Sequence, residues 1–137
     1  MANEYEHMEP KLLLPEYLQP ILQALKALEP IFHSAHFDAT PKKFEQFVAS
    51  NFWEVGASGN RYSREFALKV LSERDESPDA ANWQTDDWYV AEAGTDNFLL
   101  TYTLIQPGRI TRRLSVWRKQ EAGWQVIYHQ GTVVQGH

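Results

Sequence analysis

The chain contains no cysteine. That absence excludes disulfides, thiolate nucleophiles and thiolate metal sites together. No stretch approaches the roughly 18 consecutive apolar residues of a membrane helix. The opening residues, MANEYEHMEPK, lack the basic start and apolar run of a secretion signal. The expectation is a cytoplasmic protein with no membrane partner. Positive charge is short as well. Lys and Arg number 13 against 18 Asp and Glu, a net charge of −5, so no overall field draws nucleic acid to the chain. Arg109, Arg112, Arg113, Arg118 and Lys119 alternate along one segment instead of forming a block, which reads as a sheet rim or solvated face.

What is plentiful is aromatic surface, 13% of the residues with five tryptophans. Trp and Tyr combine large buried area with a polar tip that needs a partner, so they suit cores and ligand pockets alike. At 137 residues the chain is one domain by size. Residues 1–14 show no periodicity and read as a loose arm, docked if at all through Leu12–Leu14; residues 15–137 form the single domain. Leu18, Ile21, Leu22, Leu25, Leu28 and Phe32 recur at three- and four-residue spacing, an amphipathic helix that Pro20 can begin and Pro30 should end or kink. Thr40-Pro41 starts a second helix. The segment Asn51–Ser58 reads as a strand closed by Gly59-Asn60, and Ser63 caps a third helix with Phe66, Val70 and Leu71 on its buried face.

The remainder is strands. Gln84–Ala93, Asn97–Ile105, Ile110–Arg118 and Trp124–Val134 are joined by turns too short for anything but antiparallel neighbours. Helices followed by a meander of four strands imply an α+β fold with the helices on one face of the sheet. Pro107-Gly108 pairs Ile105 with Ile110, which places Phe98, Leu100, Tyr102 and Leu104 on one face with Arg113, Ser115 and Trp117. A four-residue loop around Ala122-Gly123 adds Trp124, Val126 and Tyr128 to that face and puts His129 on the other. Both faces are then apolar. An antiparallel sheet normally wets one side, so a homodimer through the outer face is expected.

The segments FWEVGASGNRYSREFALKVL and SVWRKQEAGWQVIYHQGT, in this order of helices and strands, resemble the nuclear-transport-factor-2-like superfamily. The closer likeness is to its small SnoaL-like and steroid-isomerase-like bacterial domains of unknown function. The resemblance spans residues 18–134. It implies a strongly bent antiparallel sheet wrapped around the N-terminal helices as a cone-shaped barrel with a cavity. It implies no single activity, because the fold hosts isomerases, dehydratases, cyclases and plain binding subunits.

Two residues could move protons. Glu54, set between Trp53 and Val55, would have a raised pKa if it lay inside the cone; a pairing with Arg64 or Arg113 is the structural alternative. Isomerases of the resembled superfamily use a carboxylate base facing acidic donors, and no second carboxyl stands out on the meander. His129 titrates near neutrality, yet can equally tie its strand to a neighbour. Trp53, Tyr89, Tyr102, Trp117 and Tyr128, with Arg113, are the candidate lining of a pocket for a small apolar or aromatic molecule; as plain core the aromatics need no further role. His33 and His36, followed by Asp38, have the spacing of metal ligands on a helix, but Pro30 and Pro41 leave little helix there, so no metal or cofactor is expected. Gly131 reads as a turn or bulge. The expected function is a small-ligand-binding or accessory domain. The alternatives are a cofactor-independent isomerase, dehydratase or cyclase and a structural dimerisation module.

Overall fold

Pro20 opens α1 (Gln19–Leu28), and Pro30 stops it. A proline at position 30 has no N–H to offer the carbonyl four residues back, so the chain tightens into a 3-10 turn over Glu29–Phe32. Leu18, Leu22 and Leu25 are buried along one stripe, and the turn carries Glu29 and Ile31 inward behind them. The computed structural model describes residues 8–33, 40–73 and 83–136. It continues with α2 (Pro41–Phe47), β1 (Val48–Val55), β2 (Arg61–Ser63), α3 (Arg64–Ser72), β3 (Gln84–Glu92), β4 (Asn97–Gln106), β5 (Arg109–Gln120) and β6 (Gly123–Val133).

The caps are those the sequence calls for. The Thr40 hydroxyl accepts from the Lys43 N–H at 3.3 Å and the Ser63 hydroxyl from the Phe66 N–H at 3.1 Å. The face of α3 differs from expectation. Ala67 is buried and Leu68 and Leu71 pack on the core, whereas Phe66 and Val70 are each 48% exposed. Phe66 stacks on Tyr62, 4.9 Å between centroids, outside the core.

The strands form one sheet in the order β2-β1-β6-β5-β4-β3. The meander β3 to β6 is antiparallel throughout, with Ile105 opposite Ile110 and Gly108 at φ +74 in the turn. β1 departs from the antiparallel expectation and runs parallel to β6, because α3 and β3 to β5 intervene between them in the chain. The sheet is therefore mixed, and it is not closed into a barrel. Phe98, Leu100, Tyr102, Leu104 and Trp117 join the helix residues in one core.

On β6 the expected facing fails by one residue. Trp117 pairs with Val126, but Val116 pairs with Tyr128, so Ile127 is an extra residue in the strand. Because side chains alternate with a period of two, one inserted residue reverses every position beyond it. Trp124 and Val126 point into the core as expected. Tyr128, placed inward from the sequence, points out. His129, placed outward, points in and is 3% exposed. The preceding loop is also shorter than expected: Gln120 pairs with Gly123, leaving Glu121-Ala122 between them.

Candidate functional site

The bulge brings His129 to the centre of the inner face, where it meets a residue absent from the sequence-based candidates. Glu29 is 0% exposed. Its Oε1 accepts from the Tyr102 hydroxyl at 2.9 Å and from the Ser115 hydroxyl at 2.6 Å; its Oε2 accepts from the Trp117 indole N–H at 2.8 Å. Three elements converge on one carboxyl: the 3-10 turn supplies it, β4 supplies Tyr102, and β5 supplies Ser115 and Trp117. Burial raises the Glu29 pKa to about 7, against the three hydrogen bonds and the Arg113 charge, which all favour the anion.

The network runs on from Ser115. Its Oγ lies 2.7 Å from His129 Nδ1. Since the Ser115 proton goes to Glu29, Nδ1 must be the donor and Nε2 the acceptor of the neutral imidazole. The Arg113 Nη1 group stands 3.4 Å from Nε2, which fits that tautomer. Burial, first, and the charges of Arg113 and His33 hold the His129 pKa well below its usual value, so the ring is neutral. Phe32 covers it face to face, 4.0 Å between centroids and 4° between planes.

Arg113 is partly exposed and lies flat across β6. A Cβ added at Gly131 would meet its Nε at 3.4 Å and its Cδ and Cζ at 3.5 Å. Gly131 is thus neither a turn nor the bulge; its missing side chain leaves the bed for the guanidinium. Arg113 Nε donates to Thr111 Oγ1 at 2.8 Å. Glu54, opposite His129 on β1, shares this face. Burial raises its pKa and Arg113 pulls it back. Arg64, the other partner expected for Glu54, instead donates to the Ala49 and Val48 carbonyls at 3.0 and 3.2 Å.

Of the candidate residues, the fold therefore brings together Tyr102, Trp117, Arg113, His129 and Glu54. Trp88 stacks on Tyr102 at 4.2 Å and extends this group toward solvent. Trp53 and Tyr128 lie on the outer face, 4.8 Å apart, and Tyr89 also faces outward beside Thr101. They do not join the site, for the register reason given above and because Trp53 alternates with Glu54. His33 sits 5.6 Å from Tyr102, while His36 and Asp38 lie outside the described residues. Among the described residues no three His, Asp or Glu side chains are grouped as metal ligands, and no helix is long and apolar enough to cross a membrane.

Glu29 had a legible signal. Leu18, Leu22, Leu25, Glu29 and Phe32 follow the alternating four- and three-residue steps of one buried stripe, and a carboxylate on such a stripe must find partners.

No family model matches the chain, and no curated protein matches it. Solved structures do. An NTF2-like protein from Cytophaga hutchinsonii superposes with a TM-score of 0.61 at 15% identity, over 88% of this chain and 100% of that one. A putative Ca/calmodulin-dependent kinase II association domain from Exiguobacterium sibiricum gives 0.64 at 18% identity, over 92% and 100%. A protein with a cystatin-like fold from Caulobacter vibrioides gives 0.61 at 16% identity, over 82% and 89%. The fold is that of the NTF2-like, cystatin-like proteins, as the sequence resemblance implied.

Proposed function

We propose that the protein binds a small molecule on the inner face of its sheet, over Arg113 and between Glu54 and Trp88. The observation that carries this reading is Glu29. A carboxyl with no exposure, three donors and a pKa of about 7 is a costly feature that an apolar side chain would replace without loss if only core filling were needed. Its hydrogen bonds lead through Ser115 and His129 to Arg113, which is partly exposed and can receive an acceptor oxygen. Phe32 and Trp88, both partly exposed, suit an apolar or aromatic body. A proton added to Glu29 Oε1 can reverse the Ser115 hydroxyl, move the His129 proton to Nε2 and turn that nitrogen from acceptor to donor, repelling Arg113. The charge state of Glu29 is thereby linked to where Arg113 stands.

Thermal shift against a panel of small aromatic and aliphatic acids, ketones and amides tests the proposal. A ligand selective for the folded state raises apparent stability by about 2.7 kcal/mol at a hundred times its Kd. The expected result is a hit whose affinity changes around pH 7 and is weakened at least tenfold in Arg113→Gln, with the pH dependence lost in Glu29→Gln. Equal affinity in the wild type and both variants sinks the reading. A panel without a hit favours a structural dimerisation module.

A second reading has its own support: two inner-face carboxyls, Glu29 and Glu54, both have raised pKa values, as proton-transfer chemistry requires. In a cofactor-independent isomerase, dehydratase or cyclase of the SnoaL-like kind, Glu54 is the group placed to reach substrate, with His129 behind it. Turnover surviving in both Glu54→Gln and His129→Ala rules this out. The reading includes a cytoplasmic homodimer formed through the outer sheet face.

A further inference from the structure

The other face of the sheet carries a second cluster that the inner site does not use. A groove of about 690 Å³ opens there, lined among others by Tyr89, Thr101, Thr103, Arg112, Gln130 and Thr132 and flanked by Glu9, Pro10 and Leu12 of the N-terminal arm. Its volume falls in the range of small-molecule sites, roughly 300–1,000 Å³. Its chemistry is the Arg112 guanidinium, carrying the Asp87 and Glu9 carboxylates, amid hydroxyls and the Gln130 amide, with Arg113 at the margin.

The guanidinium is held in place. β3 bulges between Asp86 and Tyr89, and Asp87 sits in the bulge with φ +58, a left-handed conformation uncommon outside glycine and one that Asp tolerates better than most. The bulge turns the Asp87 carboxylate onto the sheet, where it accepts from the Thr103 hydroxyl at 2.7 Å and from Arg112 Nη1 at 3.0 Å; Nη1 also lies 2.7 Å from Thr103 Oγ1. One edge of Arg112 is thus engaged by an exposed carboxylate at 3.0 Å and a buried threonine hydroxyl. The other edge, Nη2, faces the arm and meets Glu9 Oε1 at 3.4 Å, with the two side chains 49% and 63% exposed. An exposed pair at that separation contributes little and is readily exchanged.

We infer that this groove is a second binding site, for a hydroxylated carboxylate of the sugar-acid class, and that Glu9 occupies the carboxylate position when the ligand is absent. The ligand carboxylate replaces Glu9 on Arg112 Nη2. Its hydroxyls meet Thr101, Thr132, Gln130 and Tyr89, and the arm lies over it. The groove also reaches Trp88, Tyr102 and Arg113 at its margin and so adjoins the inner site; Arg112, which pairs with Thr103 and Thr132 on the outer face, tells the two apart.

Calorimetric titration of the full chain with lactobionate, and with lactose as the uncharged counterpart, tests this. Lactobionate should bind saturably and lactose at least tenfold more weakly. Arg112→Gln should weaken lactobionate at least tenfold, and Arg112→Lys, which keeps the charge but loses the planar fork, should fall between. Glu9→Gln, an exposed change in the arm that leaves the sheet intact, should tighten binding about two- to fivefold by removing the competitor. The proposal is overturned if lactobionate fails to bind both wild type and Glu9→Gln, if lactose binds equally well, or if Glu9→Gln leaves the affinity unchanged.

Discussion

Glu29 and His129 titrate against each other. The folded pKa of Glu29 lies above the ordinary carboxyl value of 4.5, at about 7, so the native state holds that proton more tightly and stability falls as pH rises between those values. The full effect is about 3 kcal/mol. The folded pKa of His129 lies below 6.5, so the unfolded state takes up its proton first and stability falls as pH drops below 6.5. Between about 4.5 and 6.5 the two slopes oppose, and their sum is a shallow profile. In Glu29→Gln only the His129 slope remains, and urea unfolding at pH 5, 6.5 and 8 should show stability declining toward pH 5 more steeply than in wild type. In His129→Gln the slope should reverse and stability should decline toward pH 8. Parallel profiles in all three proteins would contradict the shared network. Losing the Trp117 donor in Trp117→Phe leaves Oε2 unpartnered, at a cost of about 1–3 kcal/mol.

At the scale of the element, β6 is decided by two residues of opposite character. Ile127 is the inserted residue that turns His129 inward, and Gly131 is the gap that receives Arg113. An alanine Cβ at position 131 would touch Arg113 at 3.4–3.5 Å, the near edge of ordinary van der Waals contact. Gly131→Ala should therefore cost no more than about 1 kcal/mol in chemical denaturation, and the His129 ring signals in NMR should move if Arg113 Nη1 is displaced from Nε2. Unchanged stability and unchanged His129 shifts would show that the close approach has no consequence. The hairpin turn before β5 is readable from Pro107-Gly108, and the place of the turn after it from Gly123, though not its two-residue length. The bulge was not, because Ile127 is an ordinary strand residue and neither glycine nor proline marks the irregularity.

At the scale of the whole molecule, the outer face is graded. Ala91, Leu99, Val116, Tyr128 and Trp53 are register neighbours across five strands and form an apolar row, and the hydroxyl-rich groove begins at the next row of the same face, Tyr89, Thr101, Leu114 and Gln130. Trp53 at 48% and Leu99 at 37% exposure are large apolar side chains that a second copy would cover. Sedimentation velocity at micromolar concentration should show a dimer, and Trp53→Glu should shift it at least tenfold toward monomer. A wild-type monomer would end the dimer proposal and leave the row without a partner.

The sequence alone determined the α+β class, the order of helices and strands, the antiparallel meander, and the inward set of Phe98, Leu100, Tyr102, Leu104, Arg113, Ser115 and Trp117. These follow from local periodicity and turn chemistry, which act within a few residues. The gathering of the site did not. Glu29 and Trp117 are 88 residues apart in the chain, and no local rule couples them. The inward turn of His129 depends on a single-residue register choice made between β5 and β6, and the bed of Arg113 depends on which residue of β6 falls opposite it. Those choices are energetic compromises of the assembled sheet and helix. Only the tertiary structure could make them.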